Sequence, residues 1–566
     1  MPVPHPTAYA RRGPARPARL RLTIVTESGR VVRRRLGFAG TLLATLFFCA
    51  SLTPSLLPRT WEYQGVMGAV TAILGYGVGA SIGAGCRAVI RYRPPARWVR
   101  RAWEVMLGVC AALTVSALSY SYGWQRDLRA LMGMDTVIPW YPPVIIGLAT
   151  VLFCVFLALA RLVRLGGRKL IGWLDRYVPH VVGHAIGGIL VAFLIAVFFN
   201  DVLFSGFVAA MNNVSSVANE STQAGVRRPA SPELSGGPRS LVGWQELGKE
   251  GRTFTGAALT PRELETFSGK PAEQPIRVYV GLESAPTPRA RADLAVRELE
   301  RTGAFERPVL AVLGTTGTGW VDPGLCEALE YMYNGDTATV AVQYSYLPSW
   351  VSFLVDRDRA AVAGRTLFDA VRERWERLPA DDRPLLLVGG ESLGSYSMES
   401  AFSGLDDMVA RTDGALFVGS PYANPIWYEL TTERDPGSPV WRPVYGSGEI
   451  VRFAQRPADL AGEPRPRVVY LQNASDPVVW WTPRLIFDRP AWLEEPRAPA
   501  INPQMNWFPL VTFWQVLGDM TAGLGTPPGY GHRYGSLIVY GWAAVAPPPG
   551  WTAADSARLG VRISGG

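Results

Sequence analysis

Histidine is scarce in this chain, and its scarcity restricts the chemistry. Only His5, His180, His184 and His532 occur in 566 residues. Lysine is scarcer still, limited to Lys169, Lys249 and Lys270. The five cysteines show neither paired spacing nor metal-ligand spacing. That argues against a disulfide framework and a cysteine metal site. Cys326, alone in the C-terminal half, reads as a buried apolar residue. No Gly-Lys-Ser/Thr follows the glycine-rich stretch around Thr315, which argues against a phosphate-cradling loop. Internal repeats and long low-complexity segments are absent. No metal and no cofactor is expected.

What the chain does have is a mixture. Mean hydropathy is +0.10, yet 18% of residues are charged. This suits a membrane region joined to a soluble one. Five apolar stretches approach the ~20 residues a bilayer-crossing helix needs. They are Leu36–Leu57, Val66–Gly85, Val105–Tyr122, Pro143–Ala160 and Val181–Leu203. Residues 1–35 hold nine arginines against the single Glu27. A basic tail can serve nucleic acid or an anionic membrane. The apolar stretch directly after it favours the membrane, so no nucleic-acid partner is expected. The loops after the second and fourth stretches carry six and five basic residues, whereas the remaining loops carry only Arg59, Arg126 and Arg129. The positive-inside bias therefore places the tail in the cytoplasm. With five spans, everything after Leu203 lies outside it.

His180 and His184 share a helix face at the start of the fifth stretch. With no third ligand in sequence, they read as packing or interfacial histidines. Asp201 near the end of that stretch reads as reaching the headgroups.

Residues 212–245 are rich in Ser, Asn, Gly and Pro and read as a flexible linker. Beyond Pro275, apolar runs alternate with amphipathic segments. Candidate strands are Ile276–Val280, Val309–Leu313, Thr339–Gln343, Leu385–Val388, Ala415–Val418 and Val468–Gln472. The expected organisation is a tail (1–35), an all-α transmembrane bundle (36–210), a linker and approach segment (211–270), and an α/β domain with a mainly parallel sheet (271–566). Active sites of such sheets lie beyond the carboxyl ends of the strands.

Gly390-Glu391-Ser392-Leu393-Gly394 stands at one such end. It follows Leu385-Leu386-Leu387-Val388 and opens a helix-compatible stretch, the context of a nucleophile elbow. A serine hydroxyl needs a base, and the base needs an orienting acid. His532 is the only histidine of the soluble half, so the base is His532 by elimination. Asp476 follows the last candidate strand by a short turn and is the favoured acid. Asp406, Asp407, Asp488 and Asp519 are its competitors. The oxyanion of a tetrahedral intermediate needs two donors. The elbow supplies the Leu393 amide, and the loop after Leu313 supplies an amide at Thr315 or Thr316. About fifty residues between Val418 and Val468 show no clear strand. They include Trp427, Tyr428, Trp441 and Tyr445, and segment 421–465 reads as a lid insertion shaping an apolar acyl pocket, or as an excursion packed on the sheet.

The order Ser392, Asp476, His532 is that of α/β-hydrolases. The chain as a whole resembles a bacterial membrane-bound α/β-hydrolase family that joins a multi-span N-terminal region to a hydrolase domain. The resemblance rests on Ser51-Leu52-Thr53-Pro54-Ser55-Leu56-Leu57-Pro58-Arg59, Thr315-Thr316-Gly317-Thr318-Gly319-Trp320, Gln343-Tyr344-Ser345-Tyr346-Leu347-Pro348-Ser349, the elbow, and Gly531-His532-Arg533-Tyr534-Gly535. It implies a Ser-His-Asp hydrolase, with the serine role on Ser392 and the histidine role on His532. One departure from general α/β-hydrolases is the lack of a clear strand between Asp476 and His532. The expected protein is an integral membrane serine hydrolase whose partners are the bilayer and a lipid or envelope ester. Rival readings are an envelope acyltransferase with the same triad, a sensor or scaffold with a degenerate hydrolase domain, and a transporter with an accessory domain.

Overall fold

The computed structural model describes residues 36–90, 95–174, 205–494 and 496–564. The basic tail, His180, His184, Asp201 and the fifth expected span lie outside the described residues. Four helices open the described chain: α1 (Phe38–Ser51), α2 (Trp61–Val89), α3 (Ala96–Leu131) and α4 (Pro142–Leu174). Of these, α2, α3 and α4 contain apolar windows long enough to cross a bilayer. The described residues thus hold three candidate spans rather than the expected four.

The exception is the first stretch, Leu36–Leu57. Only 14 residues of it are helical, about 21 Å at 1.5 Å per residue, against a hydrocarbon core of ~30 Å. Pro54 is the cause. It lacks an N–H and disfavours helical backbone at Thr53. Leu56 and Leu57 then leave the bundle and are fully buried in the core of the α/β domain, beside Leu128 and Met132 from the end of α3. Hydropathy alone cannot distinguish leucines that face lipid from leucines that plug a neighbouring domain.

The four helices alternate in direction. Phe38 at the start of α1 meets Trp103 near the start of α3. Trp61 at the start of α2 meets Tyr141 just before α4. The α/β domain therefore sits on the bundle end formed by the close of α1 and α3 and the start of α2. The arginines at 87, 97, 100 and 101 lie at the opposite end.

Seven strands form one sheet: β1 (Ile276–Val280), β2 (Val309–Gly314), β3 (Ala338–Val342), β4 (Leu385–Glu391), β5 (Gly414–Val418), β6 (Val451–Ala454) and β7 (Val468–Leu471). Their order is β1-β3-β2-β4-β5-β7-β6, and every pair is parallel. Helices cover both faces, so the strands are continuous apolar runs. From β2 the chain crosses to β3 on one side, and from β3 to β4 on the other. The carboxyl ends of β2 and β4 consequently flank the switch point, where a crevice opens.

Two expectations need correcting. The fifty residues after Val418 do contain a strand, β6, which pairs with β7 at the sheet edge. It is only four residues long and carries Arg452 within it, which hides the apolar pattern. The stretch 212–245 is not a free linker. Its first part continues the helix Ser205–Glu220. Leu234 then bridges to Arg277 of β1, and the Tyr279 amide donates to Ser235 Oγ. This stretch covers a sheet edge that would otherwise present unpaired backbone groups.

Candidate active site

Ser392 occupies the sharp turn between β4 and the helix Leu393–Glu399. Its φ of 55° and ψ of −122° lie outside the usual regions for an L-residue, the strained geometry of a nucleophile elbow. The turn is held by the Ser392 amide, which donates to the Val418 carbonyl of β5 at 2.9 Å. A close backbone approach explains the flanking glycine at 394. A Cβ on Gly394 would lie 2.3 Å from the Gly314 carbonyl oxygen, and one on Gly314 would lie 2.0 Å from the Gly394 oxygen. This contact sets the elbow beside the loop that follows β2.

Asp476 lies just past the end of β7 and is fully buried. One of its oxygens, Oδ1, accepts from the Val478 amide at 2.8 Å. The other, Oδ2, lies 2.7 Å from His532 Nδ1 and accepts from the Tyr534 hydroxyl at 2.7 Å. A carboxylate only accepts, so Nδ1 carries the proton and Nε2 presents its lone pair. Residues 476 and 532 meet although no strand separates them. Asn473 and Ser475 do the work of that strand: Asn473 Nδ2 donates to the Gly531 and Arg533 carbonyls, and the Gly531 amide donates to Ser475 Oγ. Gly419, at φ +56°, clears room for the ring, since a Cβ there would lie 2.4 Å from His532 Cε1. The competing acids lie elsewhere. Asp519 pairs with Arg59, Asp407 with Arg411, and Asp488 lines a different cavity.

Ser392 and His532 line one cavity of about 330 Å³, together with Trp320, Trp350, Phe353, Met520, Thr521 and Leu524. Among the described residues Ser392 Oγ forms no hydrogen bond, and His532 Nε2 lies 3.4 Å from Glu391 Oε1. Catalytic hydrogen bonds are often loose before substrate arrives. Of the two candidate donors after β2, the Thr316 amide is taken by the Trp320 carbonyl at 2.9 Å. The turn it closes leaves Thr315 as the candidate, next to Gly314 and thus close to Leu393.

The aromatic-rich segment 421–465 does not wall this cavity. Trp427 and Tyr428 line a second one of about 670 Å³. Phe353 in the first and Tyr422 in the second stand edge to face, with centroids 5.9 Å apart. The segment is anchored by the buried Glu399, whose Oε1 accepts from the Ile426 and Trp427 amides and whose Oε2 accepts from Asn424 and Tyr470. Burial pushes the Glu399 carboxyl up to about 7, against the hydrogen bonds that favour its charged form.

Sequence reasoning missed two neighbours of the imidazole. Tyr534 shares Asp476 Oδ2, and its position two residues after His532 was the available signal. Glu391, the variable position of the elbow, is 3% exposed. Burial raises its pKa well above the carboxylate range, and the facing acids Asp322 and Asp476 push the same way. Both effects favour the protonated form of Glu391 in the folded protein. An acid with a raised folded pKa binds more protons folded than unfolded, so its contribution to stability falls as pH rises above about 4.5. Glu391→Gln keeps the neutral shape and removes that loss. Its stability relative to the parent is expected to grow between pH 4.5 and pH 8, as read by chemical denaturation at both values.

The profile of the alpha/beta-hydrolase family matches residues 276–559, which include all seven strands, and the profile of that family's N-terminus matches residues 52–258. No curated protein matches the chain. Among solved structures it is similar to a Trichoderma reesei cutinase in complex with a C11Y4 phosphonate inhibitor, at 14% identity over 42% of this chain and 89% of that one, with a TM-score of 0.19.

Proposed function

This chain belongs to the alpha/beta-hydrolase family, and we propose that it is a membrane-anchored serine hydrolase that cleaves carboxylic esters of lipids or envelope components. The observation that carries this reading is the single cavity shared by Ser392 at a strained elbow and a His532 ring fixed by Asp476. Ser392 Oγ attacks the ester carbonyl carbon while His532 Nε2 takes its proton. Asp476 holds the ring in the required tautomer and stabilises the imidazolium. The Leu393 and Thr315 amides stabilise the oxyanion. Collapse expels the alcohol, which leaves with the proton from His532. Water then attacks the acyl-enzyme by the same route and releases the acid.

The bundle supports an extracytoplasmic hydrolase domain. Its arginines cluster at the end away from that domain, the side expected to remain in the cytoplasm.

The test is mass spectrometry of the full chain quenched during turnover of a p-nitrophenyl ester. The expected result is an acyl adduct on the peptide containing Ser392. Turnover with an adduct on a different residue, or with none under conditions of burst release, would overturn the assignment.

A further inference from the structure

We propose that the cavity of Ser392 opens at the bilayer surface and takes its ester directly from the adjoining leaflet, so that the substrate is a membrane-resident acyl ester. The inference rests on the serine hydrolase reading above and adds the route by which substrate arrives.

The cavity wall formed by Met520, Thr521 and Leu524 continues directly from the helix Val511–Asp519. That helix is fixed to the membrane region. Asp519 accepts from the Leu56 and Leu57 amides and pairs with Arg59, between α1 and α2. Gly518 faces the first turns of α2 so closely that a Cβ there would lie 1.6 Å from the Tyr63 hydroxyl. The same hydroxyl is within polar reach of Thr521. A single tyrosine therefore separates a cavity wall from the start of a candidate span.

Aromatic rings mark the interface at this end of the bundle. Tyr120, Tyr122 and Tyr141 are exposed, with Trp124 stacked on Tyr120 and Trp61 edge-on to Tyr141. Such rings settle at headgroup depth. The helix α2 has 29 residues, about 43 Å, so its first turns rise above a ~30 Å hydrocarbon core to that same depth.

The mouth of the cavity is apolar. Leu524 is 65% exposed, Trp350 is exposed on the same cavity, and Leu354 is exposed one helical turn after Trp350. Phe207 lies against Trp350, with ring centroids 6.2 Å apart. In water this rim would cost free energy; against lipid it does not. An entrance at the interface also spares an acyl chain from passing through water, where each exposed methylene lowers its availability about fourfold.

The test uses the full chain reconstituted into vesicles of phosphatidylcholine and phosphatidylglycerol. Two substrates are compared: water-soluble p-nitrophenyl butyrate, and a fluorogenic long-chain acyl ester dissolved in the vesicle bilayer. Phe207→Glu and Leu354→Glu place charges on the rim outside the cavity lining. Turnover of the bilayer ester is expected to fall at least about tenfold, while turnover of the soluble ester and labelling by a fluorophosphonate stay within about twofold. Equal loss on both substrates, or no loss on the bilayer ester, would overturn the inference. So would a parent protein that cleaves the soluble ester and ignores the one in the bilayer. A parent that takes no fluorophosphonate label on Ser392 would instead overturn the serine hydrolase reading.

Discussion

Ser392→Ala is expected to erase fluorophosphonate labelling and to lower ester turnover by about 10⁴-fold or more. The change removes one oxygen atom and little else. Alanine carries the same Cβ at the same φ of 55°, so the strain of the turn is retained. The amide of residue 392 keeps its bond to the Val418 carbonyl. Thermal stability should therefore be nearly unchanged, which separates a chemical loss from a folding one. Residual activity would reflect the oxyanion donors and substrate binding alone. Asp476→Asn is the companion variant. The carboxylate accepts from Val478, His532 and Tyr534 at once. An amide must turn a donor towards one of them and cannot hold the Nδ1–H tautomer securely, so a loss of similar size is expected. Labelling that persists unchanged in Ser392→Ala would assign the nucleophile elsewhere.

Much of this site can be read from the sequence because its parts obey local rules. The six expected strands are present, since a parallel sheet buried on both faces leaves uninterrupted apolar runs. The elbow announces itself through two glycines that a backbone contact requires. His532 follows from the shortage of alternatives. The features that sequence hides are those decided by distant partners. Nothing local marks Glu391, at the variable position of the elbow, as a buried acid. The role of Asn473 and Ser475 in clasping the histidine loop has no local signature. The short β6 is masked by Arg452, whose guanidinium is spent on carbonyls of the Leu460–Pro464 stretch. The first expected span falls short for a related reason: Leu56 and Leu57 are as apolar as lipid-facing leucines, yet their destination is another domain.

Those two leucines lead to the second large effect. Asp519→Ala is expected to destabilise the protein by about 3–5 kcal/mol, because it leaves a buried guanidinium without its carboxylate. Arg59 and Asp519 are almost fully enclosed, with a separation of 3.1 Å. The loss extends beyond the pair, since the Leu56 and Leu57 amides both donate to Asp519. Nearby, Gln515 Nε2 reaches the carbonyls of Ser51 and Thr53. Arg59 also donates to the Ser51 carbonyl. Together these bonds lock the end of α1 to the helix that leads into the cavity wall and the His532 loop. A drop of roughly 5–15 °C in the unfolding midpoint of the detergent-solubilised chain is expected. The partner variant, Arg59→Ala, should behave differently with pH. Burial already raises the Asp519 pKa, and Arg59 opposes that rise. Removing the arginine lets the folded-state pKa climb further, so the folded variant holds a proton that the unfolded chain releases above about 3.8. Its deficit relative to the parent should therefore be smallest in acid and widen as pH rises towards neutrality. Asp519→Ala has no such proton to hold and escapes the parent's own loss, so its deficit should narrow rather than widen over the same range. A pH-independent deficit in Arg59→Ala would mean that the Leu56 and Leu57 amides and the Ser55 hydroxyl hold the Asp519 charge as well without Arg59 as with it.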